Sequence, residues 1–504
     1  MDYKSRNLII IKNGSNNTVW LTMLLAIICA SAKYYPVIGI VITIVELVML
    51  LYQFFIRKNL YRYLITYITV VMTCMDNPIF VYGDDSGNLY SFCNMPLIRG
   101  YHTIIFACLP LIIVLSGRNI QEFKVKLREY SALRRTLTFL LIIYIWGIFS
   151  FLFSFFINDN FFWKKVGFYF WVWRKNFFNY TSIFALIISF SYLLVTQKES
   201  INKIKNYLYY SLIGIAYAAF ISYALNWSGD YSNDTTLLLT QATFYIAFIL
   251  LFPYYENKSW IKCILIFGLS VFVMMKKASG FAGKWYLALG FIIIVFGMKS
   301  ICIKRKTSKK KIMMAILGVS VIGVGISVFL KIIAEEYSGS LAQTKLIQAS
   351  MLFKGIGKEG WYEVLPASPK MRIDEFINIT QEYMDKPYYL LLGKGFSGTI
   401  EHHTTTMNWD VVGSTFSQTE ITNGLYAFMH ETPVMLFLMA GILGMCFIIN
   451  EIIFLVKNWK KSVWVTIGIV WFMLFFNAGG FVSIYLGMYA WIIGKIDCKK
   501  FIKK

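Results

Sequence analysis

Six residues are of the types that handle charged groups and protons. Arg174, Lys276, Lys277, Lys284 and Arg372 are cations, and His430 carries an imidazole beside Glu431. Arginine grips phosphate oxygens in a two-pronged fork, and a neutral imidazole takes up a proton near pH 7. Between Arg372 and His430 lies the run Gly393-Lys394-Gly395-Phe396-Ser397-Gly398. Glycines so spaced let backbone approach a ligand closely, although such a cluster alone more often marks a turn. Other chemistries lack their residues. There is no CxxC, no Cys/His grouping at zinc-ligand spacing, no phosphate loop and no dinucleotide fingerprint. The paired carboxylates of glycoside hydrolases cannot be singled out.

The elements that must position these residues are membrane helices. The chain is 58% hydrophobic and 18% aromatic with a mean hydropathy of +0.59, more apolar area than soluble cores of 504 residues can hide. A span needs roughly 20 apolar residues. Candidates lie near 18–32, 36–56, 61–76, 101–117, 136–157, 178–196, 206–225, 236–253, 259–275, 282–299, 312–334, 424–456, 463–476 and 478–494. The fold expected is an all-α polytopic membrane protein of about 14 (12–14) transmembrane helices. Residues 1–334 form a bundle of about eleven spans, 335–423 one large loop, and 424–504 the last spans and a tail. No cleavable signal peptide is visible.

Charge sets the orientation. With the N-terminus inside, alternate loops hold 32 of the 49 Lys and Arg, and the runs Lys304-Arg305-Lys306 and Lys309-Lys310-Lys311 fix one of them. Both termini are then cytoplasmic and the long loop is extracytoplasmic. The net charge of +23 therefore reads as topology and attraction to anionic membrane lipid, with no nucleic-acid partner. The same count puts Arg174, Lys276, Lys277, Lys284, Arg372 and His430 on the outer side. Lys164, Lys165 and Lys175 read as snorkelling to lipid headgroups, and His402 and His403 as solvated loop residues. Glu46, in mid-span, needs a partner.

Within the long loop, Ser368-Pro369 reads as a helix start. Ile373, Phe376, Ile377 and Tyr383 then recur at helical spacing, giving an amphipathic helix to about Asp385 that Pro387 ends.

The order Arg372, Pro387, Gly393-Lys394-Gly395-Phe396, His430, Gly441-Ile442-Leu443-Gly444 resembles the bacterial O-antigen ligases and the related O-antigen and capsular polysaccharide polymerases. In that family an Arg opens an amphipathic outer helix, and a His at a span entry precedes Gly-x-x-Gly. The resemblance covers about 370–445. Arg174-Lys175-Asn176 looks like the family's Arg and aromatic-Asn element before a helix, and Lys276-Lys277-Ala278-Ser279-Gly280 like its Ser-Arg site. Two departures stand out. Glu431 replaces the usual Asn, Ser or Gln, and Gly280 stands where the family has Arg, which passes the cationic role to Lys276, Lys277 or Lys284.

The resemblance implies a GT-C-like, metal-independent and cofactor-free inverting glycosyltransferase of the bacterial plasma membrane. Its donor would be a glycan on undecaprenyl pyrophosphate, held by Arg372 and Arg174, with Gly393, Gly395, Glu431 and the three lysines binding substrate. His430 would take the proton of the acceptor hydroxyl. Partners implied are the flippase and chain-length regulator of the same pathway. Polymerase is the preferred reading. An O-antigen-type ligase is the alternative and a lipid-linked oligosaccharide flippase the rival, although the chain lacks the internal symmetry common in transporters.

Overall fold

The computed structural model describes residues 17–28, 36–73, 101–157, 164–197, 367–403, 416–429, 432–459 and 483–497, with a few single positions between them. Their regular structure is helical, and the one β-type pairing among them is an isolated bridge between Ile400 and Tyr426. In the N-terminal half lie α1 (Asn17–Ile28), α2 (Pro36–Leu51), α3 (Leu60–Thr73), α4 (Tyr101–Val114), α5 (Gly117–Leu127), α6 (Ser131–Ile157) and α7 (Val166–Thr196). The second half contributes α8 (Ala367–Asp385), α9 (Tyr388–Leu392), α10 (Gln418–Asn423), α11 (Thr432–Asn458) and α12 (Ser483–Asp497). Among the described residues, three stretches are long and apolar enough to cross a membrane: Ser131–Ser154, Val166–Thr196 and Thr432–Asn458. The described residues thus have the make-up of a helical membrane protein. Lys276, Lys277, Lys284, His430 and Glu431 lie outside them, as do the spans expected between 236 and 334.

α7 is the hub. Its apolar stretch is 94% buried inside the protein, against 28% for α6, and α3, α4, α5, α6 and α12 all pack on it. α6 turns the stripe Leu141, Ile142, Ile145, Phe149, Leu152 and Phe156 outward, an apolar face suited to lipid. Lipid tails are as apolar as leucine, so burial alone does not hold such helices together and polar contacts add to close packing. The Glu451 carboxylate of α11 is fully buried and accepts from Thr136 Oγ1 of α6 (2.7 Å), Tyr489 Oη of α12 (3.1 Å) and the neighbouring Asn450 amide (3.0 Å). Asp497, ending α12, accepts the Ala132 amide at 2.6 Å and the Leu133 amide at 3.4 Å. It thereby satisfies donors that the first turn of α6 leaves open.

Three helix starts that bear on the site differ from the sequence reading. The span expected at 178–196 begins at Val166, so Arg174-Lys175-Asn176 sits within the helix rather than before it. At 31 residues, α7 is about 46 Å long by helical rise, more than a hydrocarbon core of roughly 30 Å needs. The segment expected as a span from 424 is not helical over 424–429, and its described helix is α11 from Thr432. Gly424, in the left-handed conformation, ends α10, and the Ile400–Tyr426 bridge and the Glu420 carboxylate hold the residues after it out of helix; Pro433 fits the first turn of α11. α8 starts at Ala367, just ahead of the expected cap, and ends at Asp385 as expected. Pro387 then precedes a further short helix, α9.

Candidate functional site

The glycine run is a turn wedged among three helices. Gly393 and Gly395 have φ of +66° and +62°, the left-handed region that glycine enters without penalty. A Cβ at Gly393 would meet the backbone of Met439 and Ala440 in α11, and one at Gly395 would meet the Ser150 side chain in α6. The close approach these glycines permit is therefore to helix surfaces. Phe396, fully buried, anchors the turn. Its ring stacks on Tyr180 at 4.7 Å and covers Gly147, where a side chain would strike it. Its amide donates to Ser150 Oγ (3.1 Å) and its carbonyl accepts from the Asn176 amide (2.8 Å). Asn176 is 1% exposed and lies two residues after Arg174, so the segment bearing Arg174 is tied directly to the glycine turn.

The turn also braces a break in α11. Gly441 has φ +53° and ψ −137°, which divides the helix in two. In an unbroken helix the carbonyls of Phe437 and Leu438 would take the amides four residues on. Here Tyr383 Oη lies 3.0 Å from the first and 2.6 Å from the second, and the Lys394 amide donates to Leu438 at 2.9 Å. A Cβ at Gly441 would run into the Leu390 carbonyl, and one at Gly444 would sit 2.6 Å from the Leu436 carbonyl. Both members of Gly441-x-x-Gly444 are thus required by the break and by what packs into it.

Arg372, half-buried, lies in the second turn of α8. One turn later Phe376 stacks on Phe437 of α11 (5.1 Å), so the helix of Arg372 rests on the part of α11 that follows His430. The chain leading to His430 is fixed on α7. The Glu420 carboxylate, 1% exposed, accepts the amides of Ala427 (2.9 Å) and Phe428 (3.2 Å) as well as those of its own capping box. Burial pushes its carboxyl up, and the hydrogen bonds from Ala427 and Ser417 oppose that shift. Lys165 Nζ donates to the Asn423 carbonyl. Lys175 Nζ lies 3.9 Å from the Trp171 ring centroid and 5.9 Å from that of Phe428, a cation–π arrangement. Lys165 and Lys175 therefore face protein, a correction to their reading as headgroup contacts. Lys164 is exposed.

Sequence reasoning missed a buried polar cluster behind the turn. Asp374, Glu375 and Asn378 of α8 are all 0% exposed. Asp374 accepts from the Trp409 indole (2.8 Å) and from Tyr362 Oη (3.4 Å), while Asn378 Oδ1 accepts the His403 amide (2.6 Å). His402 stacks on Trp409 (centroids 4.6 Å apart), with Nε2 3.8 Å from Asp374 Oδ2. It is a packed residue beside a carboxylate rather than a solvated one. Polar residues at 374, 375 and 378 inside an otherwise amphipathic stretch were the available signal. One turn beyond Asn378 on α8, Glu382 pairs with Lys394 Nζ, which also donates to the Thr399 carbonyl (2.7 Å). Burial drives the Lys394 ammonium pKa down and Glu382 works against that.

The described part of the site thus consists of two arginine-bearing helices, Arg174 on α7 and Arg372 on α8, joined through one glycine turn and one broken helix. No known protein-family model matches the chain, and no curated protein matches it.

Proposed function

We propose that this chain is a bacterial plasma-membrane glycosyltransferase of GT-C-like architecture. It polymerises oligosaccharide repeat units carried on undecaprenyl pyrophosphate at the extracytoplasmic face. The observation that carries the reading is the joint at Phe396. Asn176 binds the Phe396 carbonyl, and Lys394 binds the broken helix α11. The segments with Arg174, Gly393-x-Gly395 and Gly441-x-x-Gly444 are therefore one packed assembly rather than scattered matches.

In the proposed reaction the acceptor is a sugar hydroxyl of a second lipid-linked repeat. Its O–H bond breaks as a new bond forms to the anomeric carbon of the donor, and the bond from that carbon to pyrophosphate breaks. The proton goes to His430 and the electron pair leaves with undecaprenyl pyrophosphate. Charge builds on the leaving group, so cations preset around it lower the barrier. Arg372 and Arg174 hold the pyrophosphate, Lys276, Lys277 and Lys284 add to the field, and Glu431 contacts the acceptor. Single displacement inverts the anomeric configuration.

The test is purified protein in liposomes with lipid-linked repeats and no nucleotide sugar, wild type beside His430→Ala and Arg372→Ala. The expected result is a ladder of longer lipid-linked glycans from wild type and none from either variant. Transfer only onto an added lipid acceptor would make the chain a ligase. Movement of the repeat across the bilayer without any product would make it a flippase.

A further inference from the structure

Ser131, Arg135, Asn450, Lys457, Asn458 and Asp497 surround a cleft of 240 Å³ where the start of α6 meets the ends of α11 and α12. Ser150, beside the glycine turn, is about 28 Å further along α6 by helical rise, close to the thickness of a bilayer core. The cleft therefore opens near the opposite face from the turn, the one that the charge pattern makes cytoplasmic, and its role is independent of the reaction above.

Its chemistry is that of an anion site. Among the described residues, neither Arg135 nor Lys457 closes a salt bridge. The one carboxylate on the rim, Asp497, is engaged by the α6 amides. Asn450 and Asn458 each spend one amide hydrogen within α11 and keep a second. Glu451, buried behind the cleft, is hydrogen-bonded by Thr136, Tyr489 and Asn450 and also feels the charge of Arg135, which lines the cleft without closing a salt bridge to it. The volume corresponds to roughly eight waters, which is ample for a phosphate group and below the usual range of pockets that enclose a whole small molecule. Ile453, on the wall of the cleft, continues into Ile449, Ile452 and Val456, all exposed along α11. Two cations, amide donors and an apolar track running into the bilayer match the two halves of a lipid.

We propose that this cleft binds the phosphate group of an anionic membrane phospholipid, with Arg135 and Lys457 as its cationic contacts and the α11 stripe carrying an acyl chain. Native mass spectrometry of the full chain in detergent tests it, with phosphatidylglycerol titrated against phosphatidylcholine of the same acyl chains. Wild type is expected to retain one phosphatidylglycerol more tightly than any phosphatidylcholine. At about 1 kcal/mol per cation near anionic lipid, Arg135→Gln/Lys457→Gln is expected to weaken that first binding by at least about tenfold. Both residues are exposed, so the variant keeps its fold, and Arg135→Lys/Lys457→Arg is expected to retain binding. Equal retention of phosphatidylcholine by wild type, or undiminished phosphatidylglycerol on the Gln variant, would overturn the site. Displacement of the lipid by millimolar inorganic phosphate would overturn the lipid as its source and make free phosphate the ligand.

Discussion

Lys394 and Glu382 form an ion pair with only 12% and 17% of their side chains exposed. Removing one member of such a pair strands the other in a poor solvent for charge, whereas replacing both with apolar residues removes the problem. Lys394→Met is expected to lower stability by about 3 kcal/mol, and Lys394→Met/Glu382→Leu to recover most of the loss, read by thermal unfolding in detergent. The folded chain holds the Lys394 proton less tightly than the ordinary 10.5 of a lysine. Between that lowered value and 10.5 the unfolded chain binds more protons, so the Lys394 contribution rises with pH across this window and is lost as pH falls through the folded value. The melting point of wild type should climb relative to the double variant over that alkaline range. Lys394 was legible in sequence only as part of a glycine run, because its partner lies a helix away. The packed state of His402 was hidden for a similar reason: Asp374 and Trp409 flank it at a distance along the chain.

Among the elements, α11 separates what hydropathy can read from what it cannot. Its apolar content announced a span, and Gly441-x-x-Gly444 was visible as a pattern. The break was not, because it depends on Leu390, Gly393 and Tyr383 packing into it. Its late start at Thr432 was partly legible: Ser417-Gln418-Thr419-Glu420 has the form of a capping box and Pro433 marks a first turn. Gly441→Ala places a Cβ against the Leu390 carbonyl in a conformation closed to other residues. It is expected to destabilise by about 2 kcal/mol or more, and proteolysis should cleave the 386–400 region faster than in wild type. Phe396→Ala removes the anchor of the same turn. Its expected cost is about 3 kcal/mol, with Asn176 left holding a loosened carbonyl.

For the whole molecule, composition and hydropathy sufficed for class: all described regular structure is helical, with three stretches able to span a bilayer. The centrality of α7 was not legible, since one apolar helix resembles another until packing assigns it neighbours. Its burial follows from α4, α6 and α12 packing against it, and a sequence does not list neighbours. The rise along α6 places Ser131 and Ser150 about one bilayer core apart, and the charge pattern predicts a cytoplasmic Ser131 end. In a background freed of native cysteines, a membrane-impermeant thiol reagent should label Glu401→Cys on intact cells. Arg118→Cys should react only after permeabilisation. Both residues are exposed, so the reverse pattern would invert the topology.

The break in α11 also bears on how the chain is made. Open carbonyls in a bilayer cost several kcal/mol each, and those of Phe437 and Leu438 take their donors from Tyr383 and Lys394, which leave the ribosome first. When α11 emerges, the surface that completes it has already been synthesised, so the bent helix is expected to enter the membrane beside its own template. A circular permutant that moves 367–403 behind residue 458 would reverse this order. It should insert α11 less efficiently in a translocon assay even though it could make the same final contacts.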